Sequence, residues 1–357
     1  MQNNSQELNT LLSEKHPYVL YRFPKSKTLN YLRIGKTTIL DHTFSGLKNK
    51  GFIFAPFKPS PSHPVCFFEP ELEKIFPSDT PFSIKPEALF TIDSDFNTTS
   101  REKYGAKFKQ FMSILNGEGN IRKLVLARKF FLGTNTVVDP GLIIHNLNKA
   151  FPNSFLFLVN HPNLGVWCGA TPENLLTINH DKGKTVALAG TQKIEDMSPL
   201  TWTNKEFEEQ NLVEIFIEKK LTELTEQFTK RGPDTVFTGS LAHLCTYYNF
   251  EINPIKTVEL LKALHPTPAV CGLPKRESIR LISEIEEFNR EYYAGFMGPV
   301  SINGDSLTDV YVTLRCFKLC KQGLEFFIGG GITKQSDEQK EWEETENKLE
   351  SILPYIG

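Results

Sequence analysis

The sequence contains no run of roughly 18 apolar residues, so it predicts no membrane-spanning helix. Its first residues show no basic segment followed by an apolar one, and we expect no secretory signal. The six cysteines include no CxxC pair and no Cys/His group at zinc-binding spacing, which argues against a structural zinc site. Scattered cysteines of this kind are typical of reduced, buried thiols in a cytoplasmic protein.

A basic excess is also missing. The chain has 40 Lys and Arg against 42 Asp and Glu, and this net charge of −2 disfavours a protein that binds nucleic acid without regard to sequence. No GxGxxG follows a predicted strand, and the GxxxxGK[ST] spacing of a phosphate-binding loop does not occur. We therefore expect a monomer that acts on a small molecule, with no nucleic-acid or membrane partner.

Phenylalanine is abundant, at 28 residues, which predicts a large core between wide packed sheets. Clusters of strand patterns interrupted by long helical patterns indicate an α+β fold, with large antiparallel sheets sandwiched between outer helices. Before residue 100 we expect short strands and loops without a sustained helix. Later helices are predicted at about 104–115, 141–151, 204–228, 257–263, 275–289 and 337–353.

One predicted strand carries a lysine among apolar neighbours. The segment IRKLVLARK alternates with period two, which places Lys123 on one face with Ile121, Val125 and Ala127. Because a buried ammonium is costly, the pKa of Lys123 should fall unless a carboxylate pairs with it, and a partly neutral lysine can act as a general base. The alternative is a lysine at a strand end whose ammonium reaches water.

A carboxylate interrupts the apolar face of the helix predicted from residue 204. At about 100° per residue, Glu209 falls between Val213 and Phe216, and Glu206 lies one turn earlier at the edge of the same face. A carboxylate in such a position needs a positive partner, a proton or a metal. The residues leave open whether Glu209 meets a buried Lys or Arg or a metal ion.

The last predicted helix offers a second acidic pair. Glu341, Glu344 and Lys348 share one edge of that helix, beside its packing stripe. The IGGGI segment just before it would let backbone N–H groups approach an anion closely. The alternative is a solvated, charged helix that follows a flexible turn.

These residue types together indicate one chemistry. Carboxylates without sulfur ligands suit Mg²⁺, which usually keeps several waters and bridges to an anionic substrate. On a later predicted strand, Arg315 shares a face with Thr313 and Phe317, and its planar guanidinium suits a carboxylate. The residues alone therefore predict a Mg²⁺-dependent site for a small carboxylate-bearing molecule, with a lysine base.

Eight segments carry these residues in a fixed order. They are IRKLVLARK (121–129), GATPENLL (169–176), ALAGT (187–191), KEFEEQNLV (205–213), LHPTPAVCGLPK (264–275), REYYAGFMGPV (290–300), VTLRCFKL (312–319) and IGGGI (328–332) with EWEETENKL (341–349). In this order they resemble the motifs of the chorismate-utilising enzymes, and most closely those of the isochorismate synthases. The resemblance implies one large α+β domain, with residues 1–100 as a variable N-terminal part and 101–357 as the chorismate-binding catalytic region.

The resemblance also implies roles for individual residues. Lys123 corresponds to the general base that activates a water, and Glu173 to the general acid that protonates the departing ring hydroxyl. Glu209 and Glu344 correspond to Mg²⁺ ligands, with Glu206 and Glu341 as the acidic shell around them. The groups that would hold the carboxylates and ring of chorismate are Gly190, Thr191, Arg315, Gly330, Gly331 and Lys348.

The expected reaction is the conversion of chorismate to isochorismate, for menaquinone or siderophore biosynthesis. Lys123 and Leu188 favour water as the nucleophile, since the amine-transferring relatives commonly lack the lysine and carry isoleucine at the second position. A salicylate synthase, which goes on to eliminate pyruvate, shares the lysine and both glutamate roles and stays open. Two further alternatives are an ammonia-using synthase with a glutaminase partner and a protein that binds chorismate without turnover.

Overall fold

The computed structural model describes residues 2–44, 47, 50–93, 95–134, 139–194, 200–301 and 307–356. The helices are α1 (Gln2–Ser13), α2 (Arg101–Asn116), α3 (Pro140–Ala150), α4 (Asn204–Leu224), α5 (Thr257–Leu264), α6 (Lys275–Ile285) and α7 (Glu338–Glu350). The strands are β1 (Tyr18–Arg22), β2 (Thr28–Leu40), β3 (Gly51–Ala55), β4 (Val65–Pro77), β5 (Lys123–Gly133), β6 (Phe155–His161), β7 (Gly165–Thr171), β8 (Asn174–Asn179), β9 (Lys182–Lys193), β10 (Phe228–Thr238), β11 (Leu241–Glu251), β12 (Gly272–Leu273), β13 (Phe296–Val300), β14 (Thr308–Val312), β15 (Cys316–Cys320) and β16 (Gly323–Ile332). Short 3₁₀ turns lie at Pro86–Ala88, Pro254–Lys256 and Leu353–Tyr355.

The strands form one hydrogen-bonded sheet in which neighbouring strands pair antiparallel. Its order is β10-β11-β9-β8-β14-β13-β3-β4-β2-β1-β6-β7-β15-β16-β5-β12. Strands from before residue 100 pair with later ones, as β1 does with β6 and β3 with β13. The predicted α+β architecture with large antiparallel sheets is therefore confirmed, whereas the functional division at residue 100 stays a prediction.

The sheet buries both of its faces in two apolar cores. Along β1, Val19 and Tyr21 belong to one core, whereas Tyr18 and Leu20 belong to the other. This follows from the period-two alternation of side chains along a strand. The first core joins the sheet to α2, α4, α5 and α6, and the second joins it to α1 and α3 and to the residues that follow α7. Such double burial explains why the strands are rich in phenylalanine.

Several boundaries differ from the sequence prediction. Helix α1 occupies a region for which we expected none, because its apolar face is narrow and only Leu8 and Leu12 are buried. Helix α4 ends at Leu224 instead of about residue 228, and the chain there enters the hairpin of β10 and β11. That hairpin gave little signal because β10 is almost entirely exposed at the edge of the sheet.

The expectations for cysteines and membrane segments can also be compared with the structure. All six cysteines are buried and none forms a disulfide, as predicted for small buried thiols. Within the described ranges, the helices are all too short or too polar to cross a bilayer.

Candidate active site

Residues from strands near both ends of the sheet line one cavity. Strands β11 and β9 are the second and third strands from one edge, and β5 and β16 are the second and third from the other. The cavity-lining residues that these strands and their neighbours supply include Val125, Glu173, Leu188, Gly190, Thr191, Glu209, His243, Tyr293, Arg315, Gly331 and Lys348. The curved sheet thus brings together segments that are distant along the chain.

Lys123 begins β5 and is fully buried, so the alternative of an ammonium that reaches water is wrong. Its Nζ lies 2.9 Å from Oε1 of Glu209, which α4 presents from the opposite side. Burial raises the pKa of Glu209, but the ammonium groups of Lys123 and Lys205 outweigh that effect and hold the pKa below its usual value. A carboxylate therefore does pair with Lys123, and the same contact supplies the positive partner that Glu209 needs.

Gly331 makes this contact possible. A Cβ at Gly331 would lie 2.2 Å from Oε1 of Glu209 and 2.8 Å from Cε of Lys123, and both distances are too short for any side chain. The glycine run therefore does more than free its backbone N–H groups, because it leaves the space in which base and carboxylate meet.

Helix α7 brings two more carboxylates to the same place. A Cβ at Gly330 would lie 3.5 Å from Oε1 of Glu344 and 3.6 Å from Oε2 of Glu341, so both side chains cover this glycine. Glu341 is fully buried, and burial together with the neighbouring Glu344 raises its pKa to about 7. The carboxylates of α4 and α7 thus converge over the Gly330–Gly331 backbone, as the sequence predicted.

Each of these acids contacts a lysine. Lys205 Nζ lies 2.5 Å from Glu341, and Lys348 Nζ donates to Glu344 at 2.7 Å and to the Gly329 carbonyl at 2.8 Å. In the described part of the chain, no three Asp, Glu, His or Cys side chains form a ready metal-binding group. The chemistry of the group still suits Mg²⁺, because the atoms that would bind the ion are carboxylate oxygens grouped over glycines.

Glu206 has a more local contact than expected. Its carboxylate accepts hydrogen bonds from the backbone N–H of Thr203 at 2.8 Å and from the Thr203 hydroxyl at 2.5 Å, which forms a capping box at the start of α4. Its predicted place in the acidic shell of a metal ion stays a prediction.

Glu173 lies in the turn between β7 and β8 and is only 3% exposed. Burial raises its pKa to about 8, against the opposing influence of the Lys123 and Lys348 ammonium groups. Glu173 is therefore not a turn carboxylate in contact with solvent. A carboxyl group that keeps its proton near neutral pH can act as a general acid, which is the property expected for this residue.

The structure corrects the predicted setting of Arg315. We expected Arg315 within one strand over residues 307–319, but the chain breaks between β14 and β15, and Arg315 adopts a left-handed backbone conformation with φ of 47°. The break turns the side chain into the cavity, away from the strand face with Thr313 and Phe317. Burial lowers the pKa of Arg315 to about 10. Among the described residues, none supplies a carboxylate within ion-pair distance, so a negative charge from a ligand would complement this guanidinium.

The chain is similar to known proteins over most of its length. A family model described as chorismate binding enzyme matches residues 74–357. The chain belongs to the chorismate-binding enzymes. Isochorismate synthase EntC of Escherichia coli (strain K12) is 28% identical over 333 residues, covering 89% of this chain and 84% of EntC. The predicted family, and with it an enzyme, is confirmed.

Solved structures of other chorismate-binding enzymes share the fold. MenF, the menaquinone-specific isochorismate synthase from Escherichia coli, superposes with a TM-score of 0.81 at 21% identity, covering 98% of this chain and 91% of MenF. Anthranilate synthase component I from Streptococcus pneumoniae TIGR4 gives a TM-score of 0.70 at 20% identity, over 96% and 91% of the two chains. Because both kinds of protein adopt this fold, the fold alone does not select the reaction.

Two residues of this chorismate-binding enzyme escaped the sequence analysis. Lys205 lies within the first turn of α4, where a lysine is expected to be solvated. Its ammonium nevertheless lies close enough to Glu209, Glu341 and Glu344 for all three carboxylates to raise its pKa. His243 is only 4% exposed and faces Arg315 across the cavity. Its one signal in the sequence was a histidine within a buried strand pattern. Such a histidine is far more often a hydrogen-bonded residue of the core than part of a functional site.

Proposed function

We propose that this chain is an isochorismate synthase, a Mg²⁺-dependent isomerase that converts chorismate to isochorismate. The observation that carries the proposal is a potential base and acid at one cavity. Fully buried Lys123 contacts Glu209, which lines the cavity, and Glu173 in the same lining has its pKa raised to about 8. An enzyme that adds one proton and removes another during its reaction usually holds an acid and a base in one site, each in a different environment.

In the proposed reaction, water attacks the ring carbon beside the carboxylate-bearing carbon. A new C–O bond forms there while the ring double bonds shift and the C–O bond of the departing hydroxyl breaks. Lys123, in its neutral form, accepts the proton of the attacking water, and Glu173 donates its proton to the departing hydroxyl, which leaves as water. One water enters and one leaves, so the overall change is an isomerisation.

The proposed metal ligands are Glu209 and Glu344, with Glu206 and Glu341 holding metal-bound waters. Bound Mg²⁺ would supply positive charge to a substrate carboxylate and help to orient the ring. The grouping of Glu209, Glu341 and Glu344 over Gly330 and Gly331 supports this assignment.

The remaining polar groups of the cavity suit a dicarboxylate. Arg315 offers a guanidinium without an acidic partner among the described residues, and Lys348 offers an ammonium beside Gly329. Gly190, Thr191 and Gly331 line the same space, with Gly330 next to Gly331 in the chain, and these residues would contact the ring and carboxylates through backbone and hydroxyl groups. The apolar lining, which includes Leu188, suits the flat face of a ring.

Product analysis of the pure protein tests the proposal. The protein is incubated with chorismate and Mg²⁺, with and without ammonium, and products are followed by NMR together with a pyruvate assay. Isochorismate that forms without pyruvate and regardless of ammonium is the expected result, and a chelator should stop its formation.

The alternatives give different products. Salicylate with pyruvate would indicate a salicylate synthase, and an ammonium-dependent product would indicate an amine-transferring synthase. Binding without turnover would leave a chorismate-binding protein. Supply of menaquinone or of a siderophore is the proposed physiological role, and the choice between the two depends on which later enzymes use the product.

A further inference from the structure

Among the described residues, the Arg315 guanidinium has two hydrogen-bonding partners, and both lie on the same hairpin. Its Nη1 donates to the Thr238 carbonyl at 3.1 Å, and its Nη2 lies 2.7 Å from Nε2 of His243. Thr238 ends β10 and His243 lies in β11, so both contacts come from the hairpin at the edge of the sheet. This hairpin fixes the position of Arg315, whose planar guanidinium we expect to bind a substrate carboxylate.

These contacts define the tautomer of His243. A guanidinium can only donate, so Nε2 of His243 must carry a lone pair towards Arg315. The other ring nitrogen, Nδ1, lies 3.2 Å from the Gly190 carbonyl, which can only accept, so Nδ1 must carry the hydrogen. The imidazole is therefore neutral, with its hydrogen on Nδ1. Consistent with this, burial together with the positive charges of Arg315 and Lys348 lowers the pKa of His243 well below its usual value.

A distortion in the sheet brings the Gly190 carbonyl into place. His243 pairs with Thr191 and Leu244 pairs with Ala189, so Gly190 is an extra residue in β9 at this point. Gly190 adopts φ of 64°, which is accessible to glycine and costly for other residues. His243 Nδ1 also lies 3.3 Å from the Thr191 hydroxyl. One imidazole thus connects the Gly190–Thr191 segment to Arg315.

We propose that His243 is a positioning residue, whose neutral imidazole holds the Arg315 guanidinium in the direction that receives a carboxylate of the substrate. This inference rests on the proposed function, because it assigns Arg315 to a substrate carboxylate. An imidazolium or the opposite tautomer would place an N–H against the guanidinium and remove the acceptor that fixes it.

A double-mutant cycle tests the proposal through the equilibrium binding of chorismate, measured by calorimetry in the presence of Mg²⁺. His243→Leu should weaken binding about tenfold in the wild-type background, since it removes one hydrogen bond to a charged group. In the Arg315→Met background the same change should have almost no effect. Equal losses in both backgrounds would show that His243 does not act through Arg315 and would overturn the proposal.

Steady-state kinetics separate positioning from a purely structural role. His243→Leu should raise KM far more than it lowers kcat, and His243→Gln should restore much of the loss because its amide can both accept and donate. His161→Leu is the matched control. His161 is an equally buried histidine, bonded to Thr37 at 2.9 Å and stacked on Phe68, and its loss should lower stability while KM stays unchanged. A KM shift in the control as large as in His243→Leu would contradict the inference.

Nitrogen-15 NMR of the histidine side chains provides a readout that does not need substrate. The expected spectrum of His243 is that of a neutral ring protonated at Nδ1, and a ring protonated at Nε2 or at both nitrogens would overturn the proposal. Failure of the proposed function has a different signature. It would appear as wild-type protein that binds chorismate but makes no isochorismate, whereas failure of this inference would leave product formation intact.

Discussion

Two buried ion pairs in this molecule differ in how completely their hydrogen bonds are satisfied. Arg290 and Glu286 are 3% and 1% exposed, and Arg290 donates to both Glu286 oxygens and to the carbonyls of Val270 and Val125. Glu286 also accepts the backbone N–H of Ala127 at 2.7 Å. This pair joins the strand of the proposed base to the neighbouring loop, and its groups are well supplied with partners.

The pair of Lys123 and Glu209 is buried to a similar degree but is far less satisfied. Lys123 Nζ is fully buried and lies close to Glu209, yet among the described residues none is aligned with it as a hydrogen bond. The two carboxylate oxygens of the nearby Glu341 likewise lack an aligned donor in the described part of the chain, although Lys205 lies close by. Burial alone therefore does not mark a functional site. A functional site is instead indicated by buried charged side chains whose hydrogen-bonding capacity is left free for a ligand, a metal or a proton.

The largest effect should come from removing the Lys123 amino group. Lys123→Met keeps the length and apolar stem of the side chain but cannot accept a proton, so kcat should fall about 10²–10⁴-fold. Product formation followed by NMR, together with chorismate binding by calorimetry, measures this change. Chorismate should still bind, because the proposed carboxylate contacts remain.

Lys129→Met is the control for this variant. Lys129 lies on the same strand, is 7% exposed and contacts Glu325 at 2.7 Å, but we assign it no part in the reaction. Its turnover per folded molecule should stay close to that of the wild type. Normal kcat in Lys123→Met would remove that residue from the mechanism.

The second-largest effect concerns stability and should come from the satisfied pair. Arg290→Met leaves Glu286 buried without its cation and should lower the free energy of unfolding by about 3–5 kcal/mol. Denaturant unfolding measures this change. Arg280 and Glu284 form a matched i,i+4 pair at 2.7 Å on α6, but their side chains are 62% and 54% exposed. Arg280→Met should therefore change stability by less than about 1 kcal/mol, and equal losses would contradict the comparison.

A smaller effect should follow from filling the space between Lys123 and Glu209. Gly331→Ala places a methyl group where the distances to Glu209 and Lys123 are 2.2 and 2.8 Å, so the pair must separate. We expect kcat to fall roughly 10²-fold, because small misplacement of a reacting group is costly. Gly119→Ala is the control, since nothing lies within 4 Å of a Cβ there. Wild-type turnover in Gly331→Ala would show that the close approach is not needed.

The sequence predicted the unsatisfied charges better than their surroundings. Lys123 and Glu209 could be found because strand and helix spacing place each charged residue among apolar neighbours. A charged residue at an apolar position can be recognised from the sequence alone. Arg315 could be named, but its left-handed turn could not, because the turn is imposed by contacts between strands that are far apart in sequence. His243 was missed for a related reason. Its role depends on the bulge at Gly190, which places a carbonyl acceptor beside Nδ1, and the sequence does not predict that bulge.

Glu206 shows the opposite limit of sequence reasoning. Its spacing relative to Glu209 suggested a metal shell, whereas the T-x-x-E pattern that begins at Thr203 also fits a capping box, and that contact is the one formed. Local hydrogen bonds compete with a distant site for the same carboxylate.

The smallest predicted effect is the dependence of turnover on pH, which sharpens the contrast between satisfied and unsatisfied carboxyl groups. Burial raises the pKa of Glu173 from 4.5 to about 8, so its acid form persists through neutral pH. As pH rises above about 8, the proton is lost and kcat should fall by about tenfold per pH unit. Measuring kcat across this range, with enzyme integrity checked at each pH, gives the alkaline side of the pH–rate profile directly.

Stability should depend on the same group in the same direction. Because the pKa of Glu173 is higher in the folded than in the unfolded chain, the folded state holds more protons between about pH 4.5 and 8. Stability is therefore lost as pH rises through that window, and Glu173→Gln, which cannot ionise, should lose less over the same range. If wild type and Glu173→Gln show parallel unfolding free energies from pH 5 to about 8, Glu173 does not hold its proton there, and a different group must protonate the departing hydroxyl.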